Sequence, residues 1–310
     1  MKKRIISVLL ATVFALSVIG CGTKDTKEQD AYRQYGITCM ESGKYEDAVK
    51  AFQNALGESI GHIGEKELDI CFYKAKAQAL DGKTKDALAT YNAIIKYNKD
   101  ARAYYLRGDL YMDMGEEKKG KADFESAVQH GKKNYEIYIG IYESLSRHEK
   151  KDEGQKYLSA AMEIKGDKPE DELYKGRISY LLGENKDAIS YLEKAKEHKQ
   201  MLASYYLGLA YDANGDSDKA KKCIAEYIKS GVATSYDLYE LGMQEMQDGN
   251  YKNALTYFNS GLELEKVPNK QNLMKSAIAA YEYSGDFDSA KKMMKEYLKA
   301  YPDDEEAKHE

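Results

Sequence analysis

The sequence predicts an all-α chain built from about eight stacked helical hairpins. Three observations carry this. A small residue recurs as Ala48, Ala87, Gly120, Gly154, Ala188, Ala220, Ala254 and Ala290, at intervals of 39, 33, 34, 34, 32, 34 and 36 residues. A turn glycine precedes most of them: Gly43, Gly82, Gly115, Gly183, Gly215, Gly249 and Gly285. Only three prolines occur, and Pro169, Pro268 and Pro302 all fall where a hairpin ends, so none breaks an expected helix. A hairpin of this size cannot bury its own apolar face, so copies at a fixed period imply stacking into one continuous array.

Taken in order, the chain begins with a different kind of segment. Lys2, Lys3 and Arg4 form a basic start, and Ile5 to Ile19 is an apolar run too short to span a bilayer. It ends Ser17-Val18-Ile19-Gly20-Cys21. These residues look like a bacterial lipobox, which implies a signal peptide at 1–20 and a diacylglyceryl group on Cys21. That places the protein on the extracytoplasmic face of a cell membrane. Residues 21–29 are expected to be the lipidated cysteine and a short polar tether. The array is expected over 30–302 and a polar tail over 303–310.

The first hairpin is Asp30 to Leu56, DAYRQYGITCMESGKYEDAVKAFQNAL. Tyr32, Tyr35, Gly36 and Cys39 follow the i, i+3, i+4, i+7 spacing of one helix face. Gly43 ends that helix, and the second carries Ala48, Phe52 and Ala55. Gly36 and Ala48 allow a close crossing, and Phe52 fills the space beside it. The place of Gly36 recurs as Ala75, Gly108, Gly140, Gly176, Gly208, Gly242 and Ile278. The place of Phe52 recurs as Tyr91, Phe124, Leu158, Leu192, Ile224, Phe258 and Met294. The second hairpin is reached through a longer link, GESIGHIGEKE. The fourth carries about two extra residues in its turn, SRHEKKDEG. Tyr227 and Tyr297 stand at the place of Ala55.

This pattern resembles the tetratricopeptide repeat, most closely in the first copy and in YDLYELGMQEMQDGNYKNALTYFNSGLEL. The resemblance implies a right-handed superhelical solenoid whose first helices line a concave groove. It further implies a protein or extended peptide as partner, held by positions two, five, nine, twelve and thirteen of each repeat. Phe72, Tyr105, Met112, Arg177, Tyr180, Tyr205, Tyr236, Tyr239 and Met243 are the candidates on these and neighbouring groove positions. Tyrosine offers contact area with a hydroxyl, and methionine adapts to irregular apolar surfaces. The last helix, Phe287 to Tyr301, has no polar capping helix after it. Its face with Met293 and Tyr297 is expected to need a cover.

Composition narrows function. The formal charge is −5, and removal of residues 1–20 takes three positives and no negatives, leaving −8. An acidic array is a poor nucleic-acid binder. Cys39, Cys71 and Cys223 have neither disulfide nor zinc spacing, and the five histidines are scattered. Gly115 to Ala122 mimics a phosphate loop but lacks the Ser or Thr, and a helix rather than a strand precedes it. No catalytic residue, metal, cofactor or nucleotide is nominated, and an enzyme is not expected. The leading reading is a membrane-anchored interaction scaffold. The alternative is a receptor for glycan or cell-wall fragments.

Overall fold

The computed structural model describes residues 27–59, 63–166, 168–302, 304 and 307. The leader at 1–20, the lipidation residue Cys21 and His62 lie outside them. The described residues form sixteen helices paired as eight hairpins. They fall into two compact units, with the boundary in the chain after Gly166.

The first unit holds α1 (Lys27–Glu41), α2 (Tyr45–Gly57), α3 (Glu65–Leu80), α4 (Thr84–Asn98), α5 (Ala101–Asp113), α6 (Glu117–His130), α7 (Tyr135–Arg147) and α8 (Lys151–Met162). The second holds α9 (Pro169–Leu182), α10 (Asn185–Glu197), α11 (Ala203–Ala213), α12 (Ser217–Lys229), α13 (Ser235–Gln247), α14 (Tyr251–Leu262), α15 (Lys270–Ser284) and α16 (Phe287–Ala300). Odd-numbered helices pack on their hairpin partners and on one another, α5 on α7 and α9 on α11, which makes them the inner layer of each unit. Pro169 sits at the start of α9, Pro268 lies between α14 and α15, and Pro302 follows α16.

All eight hairpin turns use one device. The residue before the second helix donates its N–H to the carbonyl five residues back: Lys44 to Cys39, Glu116 to Tyr111 and Asn250 to Glu245, each at 2.8 Å. This closes the helix end as a Schellman-type turn and needs a left-handed residue inside it. Glycine fills that place in seven turns, with φ between 69° and 84°.

The fourth hairpin corrects the expected insertion. Its turn has the common length, since Lys150 donates to the Leu145 carbonyl at 2.8 Å. Glu149, at φ 61°, takes the place of the glycine. The apparent two extra residues come from matching Gly140 to the crossing. Tyr142 stands there instead, its ring and backbone against Gly154. Gly140 has another role, leaving room for the Tyr105 ring from the preceding inner helix.

Elsewhere the crossings follow the sequence. A Cβ at Gly36 would lie 2.6 Å from Phe52 Cε1, and one at Gly176 2.4 Å from Leu192 Cγ. Phe52, Phe124, Leu158, Leu192 and Phe258 are wholly buried. The phosphate-loop mimic is part of this scaffold: Gly115 makes a turn, and Gly120 packs against Gly108 and Met112.

The two ends of the array add contacts. Helix α1 takes in Lys27 to Gln29, which the sequence places in the tether. Gln29 is buried there, and its amide donates to Glu67 Oε1 at 2.9 Å and to the Ser59 hydroxyl. At the other end, the chain covers its own last helix. Tyr297 is 0% exposed; its hydroxyl donates to Asp304 and accepts from Gln271 Nε2 at 2.9 Å. Lys275 Nζ pairs with Asp304 at 2.7 Å, and Ala307 packs with Met274, Ile278 and Tyr297. The expectation of an uncovered Tyr297 is corrected by Asp304 and Ala307, which cover it.

Candidate functional site

In the first unit the candidate residues serve packing as much as surface. Phe72 on α3 is half-buried, with the Arg102 guanidinium 4.6 Å above its ring. Arg102 is itself held by Asp100, the cap of α5, at 2.8 Å. The Tyr105 ring lies on Gly140 and 6.3 Å from Phe124, and burial pushes its hydroxyl well above the ordinary phenol range. Met112 is 4% exposed, its sulfur against Gly120. These placements tie hairpin to hairpin, and Met112 offers little area to a partner.

The same unit carries an acid–base network that the scattered histidines did not signal. Asp109 and Asp113, one turn apart on α5, meet His148 after α7, with their ligand-type atoms within 4.8 Å of one another. Arg147 Nη2 lies 2.5 Å from Asp109 Oδ1, and His148 Nε2 lies 3.1 Å from Asp113 Oδ1. Burial raises the Asp109 carboxyl above its ordinary range, against the lowering pull of Arg147. The guanidinium on Asp109 makes this an ion-pair strap between α5 and α7.

The second unit carries six of the candidates. Arg177 and Tyr180 come from α9, Tyr205 from α11, and Tyr236, Tyr239 and Met243 from α13; all six are half-buried. The Arg177 guanidinium sits 5.4 Å over Tyr206, whose ring stands edge-on to Tyr205 at 5.1 Å. Tyr205 also leans on Tyr227 at 5.3 Å. Burial first, then Tyr206, Asp237, Glu240 and Tyr180, raises the Tyr205 hydroxyl far above its ordinary value. Tyr239 packs 6.2 Å from Phe258 with Met243 and Met246 beside it, and the Ser276 hydroxyl reaches the Met243 sulfur at 3.6 Å.

A capping box sets the start of α13 in this surface. The Thr234 hydroxyl accepts from Asp237 N, and Asp237 Oδ2 accepts from Thr234 N at 2.8 Å and from the Tyr227 hydroxyl at 2.6 Å. Tyr227, where a small residue was expected, is thus a fully buried strut from one hairpin to the next. Tyr206, Asp237 and Glu240 were missed by position-by-position reading. Their signal was available in the helix spacing, since Glu240 lies one turn from Tyr236.

A separate hollow of about 500 Å³ lies among α10, α11 and α12, lined by Glu193, Lys196, Tyr211, Lys219, Cys223 and Glu226. Glu193, Lys196 and Glu226 are engaged within the lining. Tyr211 donates to Glu193 at 2.6 Å, and Lys196 pairs with Glu226.

Segments 36–95, 101–129, 202–230 and 271–304 match the family described as tetratricopeptide repeat. No curated protein matches the sequence. Among solved structures, a tetratricopeptide repeat protein from Parabacteroides merdae ATCC 43184 is 12% identical over 82% of this chain and 99% of its own, with TM-score 0.48. PilW, a widely conserved type IV pilus biogenesis factor, is 18% identical over 67% of this chain and 97% of its own, with TM-score 0.44. Yeast Tom70 is 16% identical over 84% of this chain and 56% of its own, with TM-score 0.51. At these identities the likeness concerns the fold alone.

Proposed function

From the premise that the chain is a tetratricopeptide-repeat solenoid, we propose that it is a lipid-anchored interaction scaffold on the extracytoplasmic face of a bacterial membrane. Its inner layer takes a protein or an extended peptide. One observation carries the binding half. Three successive inner helices of the second unit, α9, α11 and α13, carry half-buried tyrosines, an arginine and methionines between them, which supports this reading. Such side chains give large contact area at low entropic cost, as in the hot spots of protein interfaces. The anchoring half rests on the basic start, the apolar run and Cys21 of the sequence. Fold alone does not name a partner, so the site must.

The test is crosslinking in cells, followed by capture. The full lipoprotein is compared with a Tyr180→Ala, Tyr206→Ala, Tyr239→Ala variant that melts like wild type. A specific crosslinked protein present in the first and absent from the second supports the inner surface. Identical crosslinks in both would remove it. Cys21→Ala is expected to release the protein from the membrane fraction; continued membrane retention of that variant would end the anchor reading.

A further inference from the structure

The charges of the second unit are segregated between its two layers. Residues 167–310 carry 20 Lys and Arg against 27 Asp and Glu, a net of −7, out of −8 for the chain without residues 1–20. The inner helices carry net charges of −1 for α9, −1 for α11, −3 for α13 and +1 for α15, which is −4 together. The outer helices carry 0 for α10, +2 for α12, +1 for α14 and +2 for α16, which is +5 together. The first unit shows no such division: its inner helices total −2 and its outer helices 0. An acidic, tyrosine-bearing layer backed by a basic one is therefore particular to this half of the chain.

Within the acidic layer the carboxylates differ in what they hold. Asp237 is taken by Thr234 and Tyr227, and Glu245 accepts from Asn253 Nδ2 at 3.2 Å. Glu240 has no ion pair or hydrogen bond among the described residues. It is more than a third exposed, yet burial of its base and the neighbouring Asp237 raise its carboxyl above the ordinary range. A cation arriving there meets an uncommitted negative charge in a partly desolvated place, where pairing is stronger than in open water. The Glu240 charge acts on the Tyr205 hydroxyl, and the Tyr205 ring stands edge-on to Tyr206, which already accepts one guanidinium on its face, that of Arg177.

We propose that the inner layer of the second unit selects a cationic partner: an extended peptide whose Lys or Arg side chain pairs with Glu240 beside the Tyr205 and Tyr206 rings. This rests on the reading of the inner layer as the partner-binding surface and adds the chemistry of what binds there. Charge complementarity decides the occupant, because an acidic peptide would meet the −3 of α13, a helix that carries no Lys or Arg.

The test uses the full-length protein in detergent micelles and two fluorescent dodecapeptides, one alternating Lys and Ser and one alternating Glu and Ser. Binding is followed by anisotropy. The lysine peptide is expected to bind and the glutamate peptide not. Glu240→Gln is expected to weaken binding about tenfold, the scale of one charged hydrogen bond. Asp218→Asn on outer helix α12 removes the same charge and should leave affinity unchanged. Equal weakening by both variants would mean a general electrostatic field and overturn the site. So would binding of the glutamate peptide, or no binding of the lysine peptide. If the crosslinked partner is lost in the tyrosine variant while the lysine peptide fails to bind, the interaction surface stands and its cationic preference falls. If the crosslinks ignore the tyrosines, the surface itself falls.

Discussion

The close helix crossing at Gly242 allows a sharp test of the packing. A Cβ at this position would lie 2.3 Å from Phe258 Cε1, 2.6 Å from Cδ1 and 2.8 Å from Cζ, where ordinary contact begins at 3.4 Å. Phe258 is 0% exposed and is enclosed by Ala254, Leu273, Ala277 and the Tyr239 ring. The ring must therefore move by roughly 1 Å into a filled core, and such overpacking costs about 1–3 kcal/mol. Alanine in place of a mid-helix glycine returns about 1 kcal/mol of helix propensity. The balance for Gly242→Ala is a loss of about 1 kcal/mol. Gly242→Val adds two more carbons with less propensity in return, and its expected loss is about 3 kcal/mol. Urea unfolding followed by far-ultraviolet circular dichroism reads the midpoints, and hydrogen exchange in α13 and α14 localises the damage. If valine is no worse than alanine, the ring yields freely and the crossing does not lock the hairpin. The second hairpin shows how it could yield, since Ala75 faces Tyr91 in the same two places and both are buried.

Two further outcomes are expected. Burial raises the hydroxyls of Tyr91, Tyr105, Tyr205 and Tyr227 above the ordinary phenol value. The stability they hold is complete below pH about 10 and is lost as pH rises through their folded values. Ultraviolet difference titration should show a late-ionising tyrosine class that appears together with loss of helix, and a single phenol transition near the free value would refute it. At the other extreme, Lys275 and then the Tyr297 hydroxyl hold Asp304 well below the usual carboxylate range. Its contribution is present above the ordinary value near 3.8 and is lost as pH falls beneath it. Asp304→Asn should flatten the acid limb of the melting curve and speed exchange in α15 and α16; an unchanged acid limb would show that the Asp304 contacts are idle.

Much of the fold was legible because its determinants are local and repeated. The turn glycine recurs seven times, and the small residue at the crossing and the large one four places after it recur eight times. One noisy copy was thus outvoted by the others. The fourth hairpin shows the limit of such reading. Gly140 satisfied the pattern by type while Tyr142 occupied the place, because a tyrosine can stand at a crossing when Gly154 opposite has no side chain. Glu149 could not be recognised as the turn residue, since a left-handed glutamate leaves no mark in the sequence. The candidate surface was legible only in part for a related reason. The same tyrosine spacing serves a partner or the next hairpin. Met112 went to packing, Tyr105 lies on Gly140 of the next inner helix, and Tyr180, Tyr205 and Tyr239 stay half-buried on three inner helices.

The sequence by itself determined helix, period, the seven glycine turns and charge, because each depends on neighbours within a few residues or on counting. The tertiary structure alone decided which side chains are buried between hairpins and which carboxylate is left uncommitted. It also decided that Asp304 and Ala307 pack onto Tyr297. Those outcomes depend on groups brought together from different helices, where shape and desolvation, not residue type, decide what each side chain can still bind.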